Sequence, residues 1–287
     1  MGPKAAGEQP GANAATRRQV AAFRGMLGEW YRQNRRTLPW RETRDPYAIL
    51  VSEIMLQQTR VERVLAKYGE FLDSFPDFAT LAAAPLATVL AVWQGLGYNR
   101  RAVALKKCAE AVIEIHDGSL PVAAEELEKL PGIGPYTARA IAAFASDAPA
   151  VFIETNIRTV FIHHFFHDRH GVTDREILPF VEATLDRRSP REWYYALMDY
   201  GVFLKKEHGN PGRRSAHHVR QSPFAGSNRE LRSRILRAVL ASPGIDEEAL
   251  RTLLQIPDGK IGNILAQLSR EGFLQSRNGR LFVSGTP

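Results

Sequence analysis

The chain has 287 residues, 44% of them apolar and 24% charged, with a net charge of +7, the composition of an ordinary globular protein long enough for more than one buried core. No run of about 18 apolar residues occurs, so no membrane span is expected, and the single cysteine, Cys108, excludes disulfides and clusters held by several thiolates. Between residues 205 and 237, Lys205, Lys206, Arg213, Arg214, Arg220, Arg229, Arg232, Arg234 and Arg237 stand against Glu207 and Glu230; such a stripe suits a polyanion through counterion release, and suits a solvated linker equally well.

In chain order, residues 1–16, "MGPKAAGEQPGANAAT", are rich in Gly, Ala and Pro and lack an apolar h-region. They read as a disordered leader and not a signal peptide, so a cytoplasmic, nucleoid-associated protein is expected. Residues 17–204 carry helical period nearly throughout, in "RRQVAAFRGMLGEWYRQN", "AILVSEIMLQQTRVERVLAKYGEFLDSF", "FATLAAAPLATVLAVWQ" and "RRAVALKKCAEAVIEIH". With Pro and Gly breaks between them, the pattern predicts about seven to ten short helices and no sheet.

In "EELEKLPGIGPYTARAIAAFA" Leu130 is expected to end one helix, Pro131 to Gly134 to turn, and Pro135 to open the next helix at its favoured first position. Gly132 and Gly134 let backbone approach a ligand, Ile133 is expected to point inward, and the unpaired N–H groups at the second helix's start suit a phosphate. A tight connection between two helices is the plainer reading of the same turn. Further on, "VFIETNIRTV" places Glu154 after an apolar, β-branched approach and just before a helix, followed by Thr155 and Asn156.

Residues 205–228 shift to Gly, Pro, Ser, His and basic residues and read as a basic linker. Residues 229–287 read as a separate small domain: three helices, then two short strands about Asn278-Gly279, a strong hairpin signal. That order resembles a winged helix-turn-helix whose third helix carries Lys260 and Asn263 toward a DNA groove; such domains also serve as protein-protein modules.

"LPWRETRDPYAILVSEIMLQQTRVERV", "WQGLGYNRRA", "LPGIGPYTARAI" and "MDYG", with an acid and Asn opening a helix about 20 residues after the hairpin, resemble the helix-hairpin-helix DNA glycosylase superfamily, and within it the adenine DNA glycosylase (MutY) branch, from Arg36 to Gly201. The resemblance implies a mainly α, two-lobed helix-hairpin-helix glycosylase body over 17–204, with the winged-helix-like domain behind it. It implies a monomer acting on double-stranded DNA that holds a mispaired or damaged base.

Hydrolysis of an N-glycosidic bond needs a proton for the departing base and an anion facing the sugar's developing positive charge, after the base is turned out of the duplex. By resemblance Glu53 protonates the adenine ring, in an apolar surround of Ile49, Ile54, Met55 and Leu56 that favours the protonated acid. Glu154 falls where the family places a catalytic aspartate, with Asn156 supporting the reacting centre, and is one methylene longer than that aspartate. Tyr136 stands where bifunctional relatives carry a Schiff-base lysine, which implies a monofunctional enzyme; packing the mouth of the hairpin would also explain it. Gln57, Gln58, Leu96 and Tyr98 match residues that enter the duplex, Gly132, Ile133, Gly134 and Thr137 form the phosphate-gripping hairpin, and Arg213 and Arg214 are expected on the phosphates. Relatives usually carry four cysteines for an iron-sulfur cluster after "MD-G"; none is present there, so neither metal nor cluster is expected. Their oxidised-guanine-checking C-terminal domain is replaced by the short winged-helix-like one. The leading expectation is adenine excision from a mispair. Removal of thymine or uracil opposite guanine is a second reading, and a non-catalytic DNA-binding protein a third.

Overall fold

The computed structural model describes residues 16–219, 223–257 and 259–285; the leader up to residue 15, and Arg220 of the basic stripe, lie outside the described residues. The chain divides into two compact units, Met1–Thr37 with Ala138–Val219, and Leu38–Thr137 with Arg220–Pro287.

In the first unit Thr16 caps α1 (Arg17–Asn34) through a capping box with Gln19, so two donors at the helix start are satisfied reciprocally. The unit also takes in most of α8 (Pro135–Ser146), α9 (Thr155–Phe165), α10 (Asp174–Thr184) and α11 (Pro190–Glu207). α11 lies against α1 and α9. Their seam is aromatic, with Phe23 meeting Phe161, Phe165 and Trp193 at ring-centroid distances of 5.6, 5.3 and 5.9 Å. Arg24 donates from Nε to Thr184 O at 2.8 Å and also to Leu185 O, placing a cation on the carbonyl end of α10, where orphan acceptors and the helix dipole favour it. Arg36 reaches buried Asp199 with its backbone N–H at 3.0 Å and its Nε at 2.6 Å.

In the second unit Asp45 accepts from the N–H groups of Tyr47 and Ala48, and Pro46 opens α2 (Pro46–Leu56). Every residue from Tyr47 to Met55 is buried, so this helix lies inside its unit, packed against α3 (Val61–Ser74) and α6 (Arg100–His116); α4 (Phe78–Ala83), α5 (Leu86–Val92) and the short α7 (Ala124–Leu127) belong to the same unit. The same unit holds α12 (Asn228–Ala241), β1 (Ile245–Asp246), α13 (Glu247–Leu254), α14 (Ile261–Arg270), β2 (Leu274–Arg277) and β3 (Arg280–Val283). The strands form an antiparallel sheet in the order β1-β3-β2. α12 packs on α5, and Glu271 takes Arg100 and Arg232 together, tying the end of α14 to α6 and α12.

Several expectations are corrected. Among the described residues eleven α-helices lie between Arg17 and Glu207, more than the pattern suggested, because apolar spacing runs on across chain breaks. The apparently continuous segment around Gln57-Gln58 is broken between α2 and α3: Gln57 is the C-cap of α2 and Gln58 sits at φ 55°, so neither lies on a helix. The helix before the hairpin ends at Leu127, and Leu130 lies in the following turn, bonding back to Leu127 O at 3.1 Å. β1 was not foreseen, since two residues are too few to show period. In the stretch read as a linker, Lys205–Glu207 complete α11, Pro211–Arg214 form a 3-10 turn, and Val172 pairs with Ser215.

Candidate active site

The sequence-derived candidates fall into two groups, one in each unit. In the second unit Glu53 is 6% exposed on α2, and the Tyr136 hydroxyl donates to its Oε2 at 3.4 Å. A buried carboxyl beside a phenol can hold and pass a proton. One residue further along α8, Thr137 Oγ1 accepts from Gln57 Nε2 at 3.1 Å, which fixes the residue that ends α2.

Gly132 has φ 79°, and a side chain there would bring Cβ to 2.6 Å from Ala104 Cβ on α6, so both backbone conformation and space demand glycine. Ile133 is buried as expected, and Pro135 opens α8. Gly134 is exposed with nothing near its Cβ position; its bareness leaves the approach to the N–H groups of α8 open.

Arg101, which sequence reading passed over, organises the rest. Its guanidinium donates to Ile54 O, Met55 O and Gln57 O at 2.8, 2.7 and 2.6 Å, to Thr59 Oγ1 at 2.8 Å, and to Leu96 O and Gly97 O at 3.3 and 3.1 Å. The side chain thus pins the loop after α2 to the loop before α6, the two loops that carry Gln57, Gln58, Leu96 and Tyr98. Burial pulls the guanidinium down to about 10, which leaves it charged at neutral pH. Of the four pinned residues Gln58 and Tyr98 are exposed, Gln57 is half-buried, and Leu96 is buried. The only hint in the sequence was a pair of arginines, "RRA", at a helix start, where the dipole disfavours cations.

In the first unit Glu154 is the N-cap of α9. Its Oε1 accepts from Asn156 N at 2.6 Å and Ile157 N at 3.0 Å, and its Oε2 from Thr155 Oγ1 at 2.9 Å and Asn156 Nδ2 at 3.3 Å. The extra methylene is therefore taken up by folding the side chain back over its own helix start, where two N–H groups and the dipole hold an anion. Asn156 is gripped from α11: a Cβ on Gly201 would lie 2.5 Å from Asn156 O, and Lys205 Nζ donates to Asn156 Oδ1 at 2.7 Å. Lys205 also escaped the sequence reading, hidden within a basic run. Arg158 pairs with Asp174 through two bonds of 2.6 and 2.7 Å. Arg213 is exposed, while Arg214 is half-buried and reaches Ile162 O at 3.4 Å.

A helix-hairpin opening into α8, a buried acid on a central helix and a capped acid at the start of α9 define a base-excision fold. Residues 51–182 match the family of HhH-GPD superfamily base excision DNA repair proteins, and the chain belongs to that family. Over 234 residues it is 35% identical to the adenine DNA glycosylase of Mycolicibacterium smegmatis, covering 73% of this chain and 78% of that one. It is 32% identical over 185 residues to the thymine/uracil-DNA glycosylase of Pyrobaculum aerophilum, covering 62% of this chain and 80% of that one. Among solved structures a thermostable thymine-DNA glycosylase superposes with a TM-score of 0.60 at 24% identity, over 67% of this chain and 90% of the other, a likeness of fold. The chain spans about half the length of several other curated adenine DNA glycosylases that it matches.

Proposed function

We propose that the chain is a monofunctional adenine DNA glycosylase, hydrolysing the bond between the sugar and an adenine turned out of a mispair in double-stranded DNA. The observation that carries this is the buried Glu53 carboxyl with the Tyr136 hydroxyl at 3.4 Å: a purine leaves as a poor anion unless protonated, and a sequestered acid supplies that proton. As the bond from C1′ to the base nitrogen breaks, its electron pair goes to the purine and the Glu53 proton to a ring nitrogen. Stabilising the positive charge left on the sugar is the role assigned to the Glu154 carboxylate, as the family resemblance implies. Water adds its hydroxyl to C1′ and returns a proton to Glu53, leaving base and abasic sugar. Tyr136 offers a phenol where an amine would be needed for a Schiff base, so strand cleavage is not part of the reaction.

The hairpin Gly132–Gly134, Thr137 and the first turn of α8 are assigned to a phosphate, Gln57, Gln58 and Tyr98 to the opened duplex, and Arg213 and Arg214 to flanking phosphates; Leu96, expected with the duplex residues, is 2% exposed and packs its loop instead. The order of α12, β1, α13, α14 and the β2–β3 hairpin supports a winged-helix reading of the C-terminal module. The residues do not fit an iron-sulfur cluster of four thiolates: Cys108, the sole cysteine, is buried in α6, where burial pushes its thiol up to about 12. The enzyme is accordingly assigned no cluster.

Duplexes carrying A, T, U or hypoxanthine opposite G or oxidised G, scored for abasic sites after alkali, test the reading. Excision of adenine that drops at least about 100-fold in Glu53→Gln supports it. Pyrimidine excision with little sensitivity to that change would instead favour a thymine or uracil enzyme, in keeping with the Pyrobaculum relative. No product from any duplex would leave a non-catalytic DNA-binding protein.

A further inference from the structure

We propose that Lys205 is a positioning residue for the Glu154 centre, fixing the orientation of the Asn156 carboxamide and, through it, the Glu154 carboxylate. This rests on the reading of Glu154 as the anion that faces the sugar. An ammonium has donors and no acceptor, so the oxygen of the Asn156 amide must face Lys205 Nζ, 2.7 Å away. The amide nitrogen is thereby turned to Glu154 Oε2, which it meets at 3.3 Å. Turned over, the same amide would set its oxygen against a carboxylate and its N–H groups against a cation. The backbone closes the frame: bare Gly201, one turn before Lys205, lets α11 touch the first turn of α9, so Lys205 reaches Asn156 from a rigid neighbour.

The electrostatics suit an orienting role and make Lys205 expensive as a mere surface charge. Burial lowers its pKa and Arg158 opposes its charge, while Glu154 favours it. Arg158 in turn is paired with Asp174 at 2.6 Å, and Lys205 answers the charge of Glu154 across the amide.

Single-turnover excision at saturating enzyme, with Lys205→Met, Asn156→Ala and the double variant, tests this. Each single change is expected to slow excision about 10- to 100-fold with duplex affinity within about twofold, and the double variant to be no slower than the slower single one, since one chain of contacts has been cut. Lys205→Cys alkylated with 2-bromoethylamine restores an ammonium at nearly the original reach and is expected to recover most of the rate; Cys108 is buried and shielded. A wild-type rate in Lys205→Met, losses that multiply in the double variant, or a loss residing in affinity would overturn the proposal, as would a borohydride-trapped adduct that needs Lys205, which would make it a nucleophile. One arm needs no turnover: the two Asn156 side-chain amide proton signals are expected to shift in Lys205→Met at unchanged melting temperature, and unchanged signals would reject the positioning role. If the wild type excises nothing, the function assigned above fails while this arm still decides the role of Lys205.

Discussion

At the scale of single residues, the longer acid at position 154 does two jobs that separate cleanly by experiment. As an N-cap it stabilises α9, so Glu154→Ala is expected to cost about 1 kcal/mol in chemical denaturation. Glu154→Asp keeps a good cap and should leave stability nearly unchanged, yet lower single-turnover excision about tenfold or more, because Asn156 and Lys205 are set around the longer side chain. An aspartate variant as fast as the wild type would mean that the frame is not tuned to glutamate. A second residue governs acid stability. Burial and the neighbouring His163, His167 and His208 lower His164 from 6.5 to about 4, and its Nε2 lies 3.1 Å from the Tyr200 hydroxyl. The unfolded chain takes up that proton near pH 6.5 and the native state only near 4, so stability is lost as pH falls through this window. Melting curves from pH 7 to 4 should show a shallower decline in His164→Gln.

Elements were legible wherever apolar period had sharp ends. α1 and α6 coincide with the quoted segments, and the hairpin strands flank Asn278-Gly279 as turn chemistry demands. The break after α2 was invisible because Leu56 and Val64, eight residues apart, keep a helical spacing while the chain between them turns on a positive φ at Gln58. The site followed the same rule. Glu53, Tyr136, Glu154 and Asn156 have roles that a family resemblance implies, whereas the roles of Arg101 and Lys205 rest on the carbonyl oxygens of Ile54, Met55 and Gln57 and on the Asn156 amide oxygen, 44 to 49 residues away in sequence, which only folding brings near. Arg101→Met is expected to destabilise the second unit by about 3 kcal/mol or more, since it strands several buried carbonyls, and to loosen Gln57 and Tyr98 together. Faster hydrogen exchange in both loops would be the measurement, and exchange confined to one of them would count against the pinning role.

For the molecule as a whole, each compact unit is built from two stretches of chain, so the chain crosses between units near Thr37 and Thr137 and again after Val219. The first unit is complete only when the chain reaches Val219, and the second only when the stretch after it is added, so both need contacts between residues distant in sequence. A chain ending at Val219 lacks α12, whose Leu236 and Leu240 face Leu90 across a small cavity, and lacks the Glu271 that joins Arg100 and Arg232. Such a truncation is expected to melt several degrees lower and to bind a hydrophobic dye, even though the residues assigned to chemistry all remain. An unchanged melting temperature would show that the C-terminal module is dispensable for folding.

Cys108, 1% exposed in α6 with its thiol held neutral by burial, gives this protein a built-in clock. A thiolate is what thiol reagents attack, so under native conditions labelling must wait until α6 opens, and the labelling rate counts openings without any engineered probe. Labelling in the presence of excess mispaired duplex then reads, from one sulfur atom, how much substrate binding slows the breathing of the fold.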